Sequence, residues 1–298
     1  FNGASLTKLA AALAVLRLVD LGALGLDDAL MDHLPSAAAA QPRVTLRRIL
    51  SHSAGLPVDV RPNLAPYQRG LTWERLAAAC LAMPPVAPVG TLVQYGNLGY
   101  GLVALIVERI SGMPFARALG ELVLTPLDIE GYLGDEPPRA PVMLSDVRGN
   151  NPPELQPFNS AFYRSLALPW AGLLTTATGA IKLVRAFTER PAGFLSPQLA
   201  AEARQNQTVG LPGGSAAPLW YSDCPWGLGP ELRGAKQPHW APPTVMPSSF
   251  GHAGASGCIV WHDPTIDLSY AVMGTRTAAN GWLLRHAPTL GATLIAER

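Results

Sequence analysis

Phe1-Asn2-Gly3-Ala4-Ser5-Leu6-Thr7-Lys8 runs directly into Leu9-Ala10-Ala11-Ala12-Leu13-Ala14-Val15-Leu16. Alanine and leucine are strong helix formers, so Leu9 to Val19 reads as a largely buried helix, stopped near Gly22. Ser5 and Lys8 stand three residues apart at its head. On a helix, positions i and i+3 share a face, so the hydroxyl and the amine point the same way. A serine hydroxyl is a poor nucleophile at neutral pH. A neighbouring lysine can accept its proton once burial or another positive group has lowered the amine's pKa. Gly3 and Ala4 leave the approach uncrowded, and a helix N-terminus favours negative charge developing beside Ser5. The stretch therefore reads as a Ser-Lys acyl-transfer nucleophile. Taken alone it decides little, because a chain of this length carries roughly one Ser-x-x-Lys by chance at average residue usage.

Composition narrows the field. The chain has 298 residues, enough for one large domain or two small ones, and 48% of them are hydrophobic against 14% charged, so it can bury a sizeable core. Net charge is +1 with no basic run, which argues against nucleic acid as a partner. The apolar runs Leu9–Leu16 and Leu98–Val107 are too short to cross a bilayer. Cys80, Cys224 and Cys258 are odd in number and far apart, so they form no disulfide framework and leave the compartment open. The histidines lack metal-ligand spacing, and neither a metal nor another cofactor is expected.

Along the chain, helices dominate the middle. Leu26–Leu30 reads as a cap and a short helix ended by Pro35, and Val44–Leu50 as a helix capped by Thr45. Thr72 starts a helix toward Met83, Gly99–Ser111 is stopped by Gly112, and Phe115–Val123 follows. Pro137–Pro157 reads as a long surface excursion. Helices are expected again at Ala177–Thr188, Ser196–Gln205 and Gly281–Ala296. Strand signals come late, at Gly257–Trp261 and Leu268–Met273, joined by a turn at His262-Asp263-Pro264. Two strands are too few for a stable sheet, so partners lie hidden in apparent loops or upstream of Phe1. The order suits an α+β fold, an antiparallel sheet flanked by helices with an inserted helical subdomain. The expected division of this one catalytic domain is 21–220 mostly helical, with 1–20 and 221–298 carrying the sheet.

Two further stretches complete a constellation. Gln94-Tyr95-Gly96-Asn97 follows a turn just ahead of a helix, where a phenol and an amide can face a cleft. Gly251-His252-Ala253-Gly254-Ala255-Ser256-Gly257 precedes a strand, and its small residues let another group approach the backbone closely. In order these are Ser-x-x-Lys, Tyr-x-Asn and His-x-Gly. The sequence resembles the serine β-lactamase and penicillin-binding-protein-like superfamily. It is most similar to the class C β-lactamase-like branch, which includes family VIII esterases, D-aminopeptidases and nylon-oligomer hydrolases. The resemblance extends through Thr45–Pro57, Ala171–Thr176, Trp226-Gly227-Leu228-Gly229 and Asp263-Pro264.

The resemblance implies the β-lactamase/transpeptidase-like fold and a role for each motif residue. Ser5 would be the acylated nucleophile, Lys8 its proton acceptor, and Tyr95 the proton shuttle to the leaving group, with the choice of base between Lys8 and Tyr95 left open. Asn97 would orient the acyl side chain, His252 and Gly254 would bind substrate, and the amides of Ser5 and Ala255 would hold the oxyanion. The resemblance also implies a further segment before Ser5, so that Phe1 lies inside a longer chain. Where β-lactamases usually carry a lysine, this chain has His252, which argues against strong β-lactam turnover. His52 between Ser51 and Ser53 is set aside, since adjacent residues do not face each other on a helix or strand. No G-x-S-x-G occurs, which disfavours a Ser-His-Asp hydrolase. The Trp- and Pro-rich region 218–247 suits either an acyl pocket or a packed loop.

The expected function is a carboxylesterase-like serine hydrolase acting on a small-molecule acyl substrate. A β-lactamase, a D-amino-acid peptidase and a non-catalytic scaffold relative are the rivals.

Overall fold

The computed structural model describes residues 1–147 and 151–297. The Ala/Leu run forms α1 (Thr7–Asp20), preceded by a single 3₁₀ turn over Ala4–Leu6. Every residue of α1 from Thr7 to Leu16 is buried. A helix that is apolar all round belongs inside the core, and this one is packed by other helices on several sides. Its neighbours are α5 (Leu98–Ser111), α6 (Phe115–Leu119), the π-turn Gly120–Leu124 that continues α6, and α8 (Ala177–Arg185).

Shorter helices surround this axis: α2 (Leu30–His33), α3 (Leu46–Leu50), α4 (Trp73–Leu81), α7 (Ala161–Ser165) and α9 (Pro197–Ala203). Their starts follow from side-chain capping. Thr45, Thr72, Ser160, Thr176 and Ser196 each accept from the backbone N–H three residues on, heading α3, α4, α7, α8 and α9. Gly112 stops α5 in the left-handed conformation, with φ +68°.

The main sheet has four antiparallel strands in the order β6 (Glu231–Leu232), β7 (Phe250–Gly254), β8 (Cys258–Asp263) and β9 (Leu268–Met273). Two of the four lay in stretches read from sequence as loop or strand entry. Strand β7 has no apolar alternation, because its glycines answer to its neighbours. A Cβ on Gly251 would sit 2.1 Å from the Val260 carbonyl oxygen and 2.5 Å from the Trp261 ring. Strand β8 also runs two residues into its expected turn, ending at Asp263. The polar His262 pairs across the ladder with Ser269, its Nδ1 2.9 Å from Oγ, and Asp263 accepts from the Thr265 and Met246 amides.

Alternation through the sheet sorts its two faces. Ile259, Trp261 and Tyr270 pack with Leu283 and Ala287 of α10 (Trp282–Ala296). Cys258 and Val260 face the large core that contains α1. The result is a sheet between helical layers. Helix α8 packs directly on β8 and β9.

Smaller pairings tie the chain start and the loops together. β1 (Val93–Gln94) runs parallel to β4 (Gly213–Gly214), which pairs with β5 (Trp220–Tyr221), and β2 (Gly131–Tyr132) pairs with β3 (Leu174–Thr175). Residues 1–3 run antiparallel to 173–175, with Gly3 N–H donating to Leu173 O and Thr175 N–H to Phe1 O. Of the expected excursion Pro137–Pro157, residues 148–150 lie outside the described residues. The remainder is not all surface: Asp146 accepts from the Thr277 amide at 2.6 Å, and Val147 and Pro157 line the main cavity.

Candidate active site

Ser5 stands at the junction of the 3₁₀ turn and α1, and the turn is locally fixed. Ala4, immediately before it, has φ +44°, a conformation that costs a non-glycine residue about 1–2 kcal/mol. Three hydrogen bonds hold it there. Asn2 Oδ1 accepts from Ala4 N–H at 2.8 Å, Thr7 Oγ1 donates to Ala4 O at 2.6 Å, and the same Oγ1 accepts from Leu173 N–H at 3.0 Å.

The Lys8 side chain lies wholly inside the protein at 0% exposure. Its Nζ lies 3.2 Å from Ser5 Oγ, 2.9 Å from Asn97 Oδ1 and 3.2 Å from Trp170 O. Burial pulls its pKa from 10.5 to about 7, against the opposing attraction of Asp59. A neutral amine can donate to Asn97 Oδ1 and Trp170 O while its lone pair faces the Ser5 hydroxyl.

Tyr95 comes from the end of β1, with Lys8 Nζ 4.9 Å from its ring centroid. Burial raises the phenol above its ordinary value, partly opposed by hydrogen bonding to Ser5, so it is a protonated donor at neutral pH. Behind it sits His52, its ring 4.8 Å from Tyr95 and 4.9 Å from Trp226, a packing element and not a reacting group. Asn97 departs from its expected place. Its Oδ1 accepts from Lys8 and its Nδ2 donates to Asp59 Oδ2 at 2.8 Å, so both ends of the amide are engaged, and it does not line the cavity.

The opposite wall is β7. A Cβ on Gly254 would come 2.3 Å from Gly3 O, so the strand and the turn that carries Ser5 lie in direct contact. Neither the Ser5 nor the Ala255 amide donates to a backbone carbonyl among the described residues, and both residues line the cavity. His252 Nδ1 is 2.7 Å from Ala253 O. A carbonyl only accepts, so Nδ1 carries the proton and Nε2 presents a lone pair. That Nε2 is buried without a partner, and burial together with the charge of Lys8 lowers the ring's pKa to about 4.

The cavity has a volume of about 550 Å³, and its apolar walls include Phe158, Leu219, Tyr221, Trp226 and Trp240. The Trp- and Pro-rich region thus supplies pocket wall. Among the described residues no lysine or arginine lines it; its charged side chains are Asp146 and Glu231. Glu231 is 6% exposed and is held by Lys236 Nζ at 2.9 Å and His239 Nε2 at 3.3 Å. Burial would raise its carboxyl, but Lys236 and His239 keep it well below the usual carboxylate range. Sequence reading missed Glu231, Asp59, Phe158 and Asp146, which belong to no local motif. The three cysteines are buried free thiols.

A Ser-x-x-Lys pair at the head of a buried helix, facing the third strand-borne motif of an antiparallel sheet between helical layers, defines the β-lactamase/transpeptidase-like fold. The family model described as Beta-lactamase matches residues 1–288, and the chain belongs to that family. It is 29% identical over 268 residues to penicillin-binding protein 4 of Amycolatopsis lactamdurans, covering 86% of this chain and 66% of the relative. It is 30% identical over 259 residues to esterase EstB of Burkholderia gladioli, covering 74% of this chain and 64% of the relative. The chain therefore spans just under two thirds of the length of these relatives. The crystal structure of a β-lactamase from Mycobacterium bovis matches with a TM-score of 0.70 at 27% identity, covering 100% of this chain and 86% of that one.

Proposed function

We propose that this protein is a carboxylesterase-like serine hydrolase that forms an acyl-enzyme on Ser5 from small, uncharged acyl esters. The observation that carries the reading is the buried Lys8 amine 3.2 Å from Ser5 Oγ, beside a cavity walled by aromatic rings. In acylation, neutral Lys8 takes the Ser5 proton as Oγ attacks the ester carbonyl, and the Ser5 and Ala255 amides face the oxygen that gains charge. Tyr95 gives its phenolic proton to the departing alkoxide and regains one from the Lys8 ammonium. The net result is one proton moved from Ser5 to the alcohol. In deacylation water replaces the alcohol, and the protons run the opposite way. His252 Nε2 offers substrate an acceptor in place of a cation.

A substrate carboxylate, as in a β-lactam or a D-alanyl peptide, meets no lysine or arginine on the described cavity wall, and His252 is neutral above about pH 4. That favours the ester over the other two classes, and the named esterase among the relatives supports it. Two measurements test the reading. Intact mass after a fluorophosphonate probe should show one adduct, absent in Ser5→Ala. Parallel kinetics should rank an aryl ester above a cephalosporin and a D-alanyl peptide. A cephalosporin preference overturns the esterase assignment, and no adduct on folded protein overturns the nucleophile.

A further inference from the structure

Outside the cavity lining, the segment Val58-Asp59-Val60 follows the Ser51–Pro57 stretch, to which the chemistry above gives no role. This segment clamps the Tyr-Gly-Asn turn. Val58 O accepts from Asn97 N–H at 2.6 Å, and a Cβ on Gly96 would come 2.6 Å from the same oxygen. Asp59 Oδ1 accepts from Val60 N–H at 2.8 Å, which fixes its carboxylate, and Oδ2 accepts from Asn97 Nδ2 at 2.8 Å. With its nitrogen held by a carboxylate, Asn97 must present Oδ1 to the other side, where Lys8 Nζ donates to it at 2.9 Å. Carboxylate, amide, amine and hydroxyl thus form one continuous chain from solvent to the nucleophile.

We propose that Asp59 is a positioning residue for the Ser5–Lys8 pair: through Asn97 it fixes where the lysine amine sits. Asp59 is exposed, lies outside the cavity and touches no reacting atom. The inference rests on reading Lys8 as the base of Ser5. The groups that face Lys8 leave Asp59 as its charged influence. Tyr95 and Tyr100 present ring faces at 4.9 and 5.8 Å, both phenols held protonated by burial. His52 and His252 are both held neutral, in part by Lys8 itself. Desolvation lowers the Lys8 pKa, and Asp59 alone is found to oppose it. The sign follows. Without the carboxylate the ammonium is less favoured, so the neutral amine, and with it acylation, persists to lower pH.

The chain has three lysines, Lys8, Lys182 and Lys236, so ¹³C-lysine NMR resolves Lys8, with Lys8→Ala as the assignment control. Titrations are run beside the pH dependence of fluorophosphonate labelling for the unmodified protein, Asp59→Asn and Asp59→Ala. Asp59→Asn removes the charge yet can still accept from Asn97, so both the Lys8 titration and the acid limb of labelling should move down by roughly 0.3–1 unit. Asp59→Ala also frees the amide, so its labelling plateau should fall roughly tenfold besides, as expected for a displaced catalytic group. An unmoved Lys8 titration in Asp59→Asn, with an unchanged plateau in Asp59→Ala, overturns the proposal. A Lys8 titration that moves while the labelling limb stays still supports the Asp59 coupling and overturns Lys8 as the base.

Discussion

At the scale of the residue, the proposed chemistry turns on one amine. Lys8 has no solvent contact, and a pKa near 7 leaves its amine half neutral at neutrality, as the proposed base requires, while Tyr95 is driven the other way and stays protonated. The mechanism proposed above takes Lys8 as the base. Acylation should therefore rise about tenfold per pH unit up to about 7 and level off above it, as a single required base dictates. Lys8→Ala should slow labelling by about 10²-fold or more and remove that limb. Stability carries the same signature. The unfolded chain holds the Lys8 proton up to about 10.5 and the folded protein releases it at about 7, so stability should increase with pH through that window. Denaturant midpoints of both proteins across the window check this, and a Lys8→Ala variant with the same slope would contradict it.

At the scale of the element, α1 and β7 bring the machinery together by different means. Helix α1 is set by propensity and burial. Strand β7 is set by clearance, since Gly251 lies against Val260 and Gly254 against Gly3, where side chains do not fit. Next to β7, β6 carries Glu231, whose carboxylate compensates the fully buried Lys236 ammonium beneath the Trp226 ring at 4.9 Å. Removing one partner of such a pair leaves a buried charge. Glu231→Gln should cost about 3–5 kcal/mol, and Glu231→Gln combined with Lys236→Met should recover much of it. Chemical denaturation of the single and double variants measures the coupling; additive losses would mean that the pair is not the unit of stability.

At the scale of the whole molecule, the cavity is assembled from segments far apart in the chain. Asp146 accepts from Thr277 N–H at 2.6 Å and from Arg276 Nε at 3.3 Å, both just beyond the end of β9. Next to this clasp, Val147 lines the same cavity as Phe158, Trp226 and Trp240. Asp146→Ala should raise KM for esters with bulky acyl groups several-fold and leave short acyl esters little changed. KM measured across an acyl-length series tests this, and a uniform loss would point to general damage instead.

How much of this was legible depends on how local each cause is. The Ser5–Lys8 pair could be read directly, because three residues on a helix fix a shared face whatever surrounds them. The capped helices α3, α4, α8 and α9 were legible for the same reason, though α7 was not, and β8 and β9 were legible from their apolar runs. Strand β7 was not, because its glycines record the proximity of β8 and the turn that carries Ser5. Nor was the place of Asn97, whose two amide ends are claimed by Asp59 and Lys8 from separate parts of the chain. Sequence alone determined the Ser5–Lys8 spacing, the helical framework and the family resemblance, all of which rest on short-range spacing. Tertiary structure alone decided the burial that tunes Lys8, the Asp59 clamp, the Glu231–Lys236 pair and the cavity wall, since each depends on groups that meet only when distant segments pack.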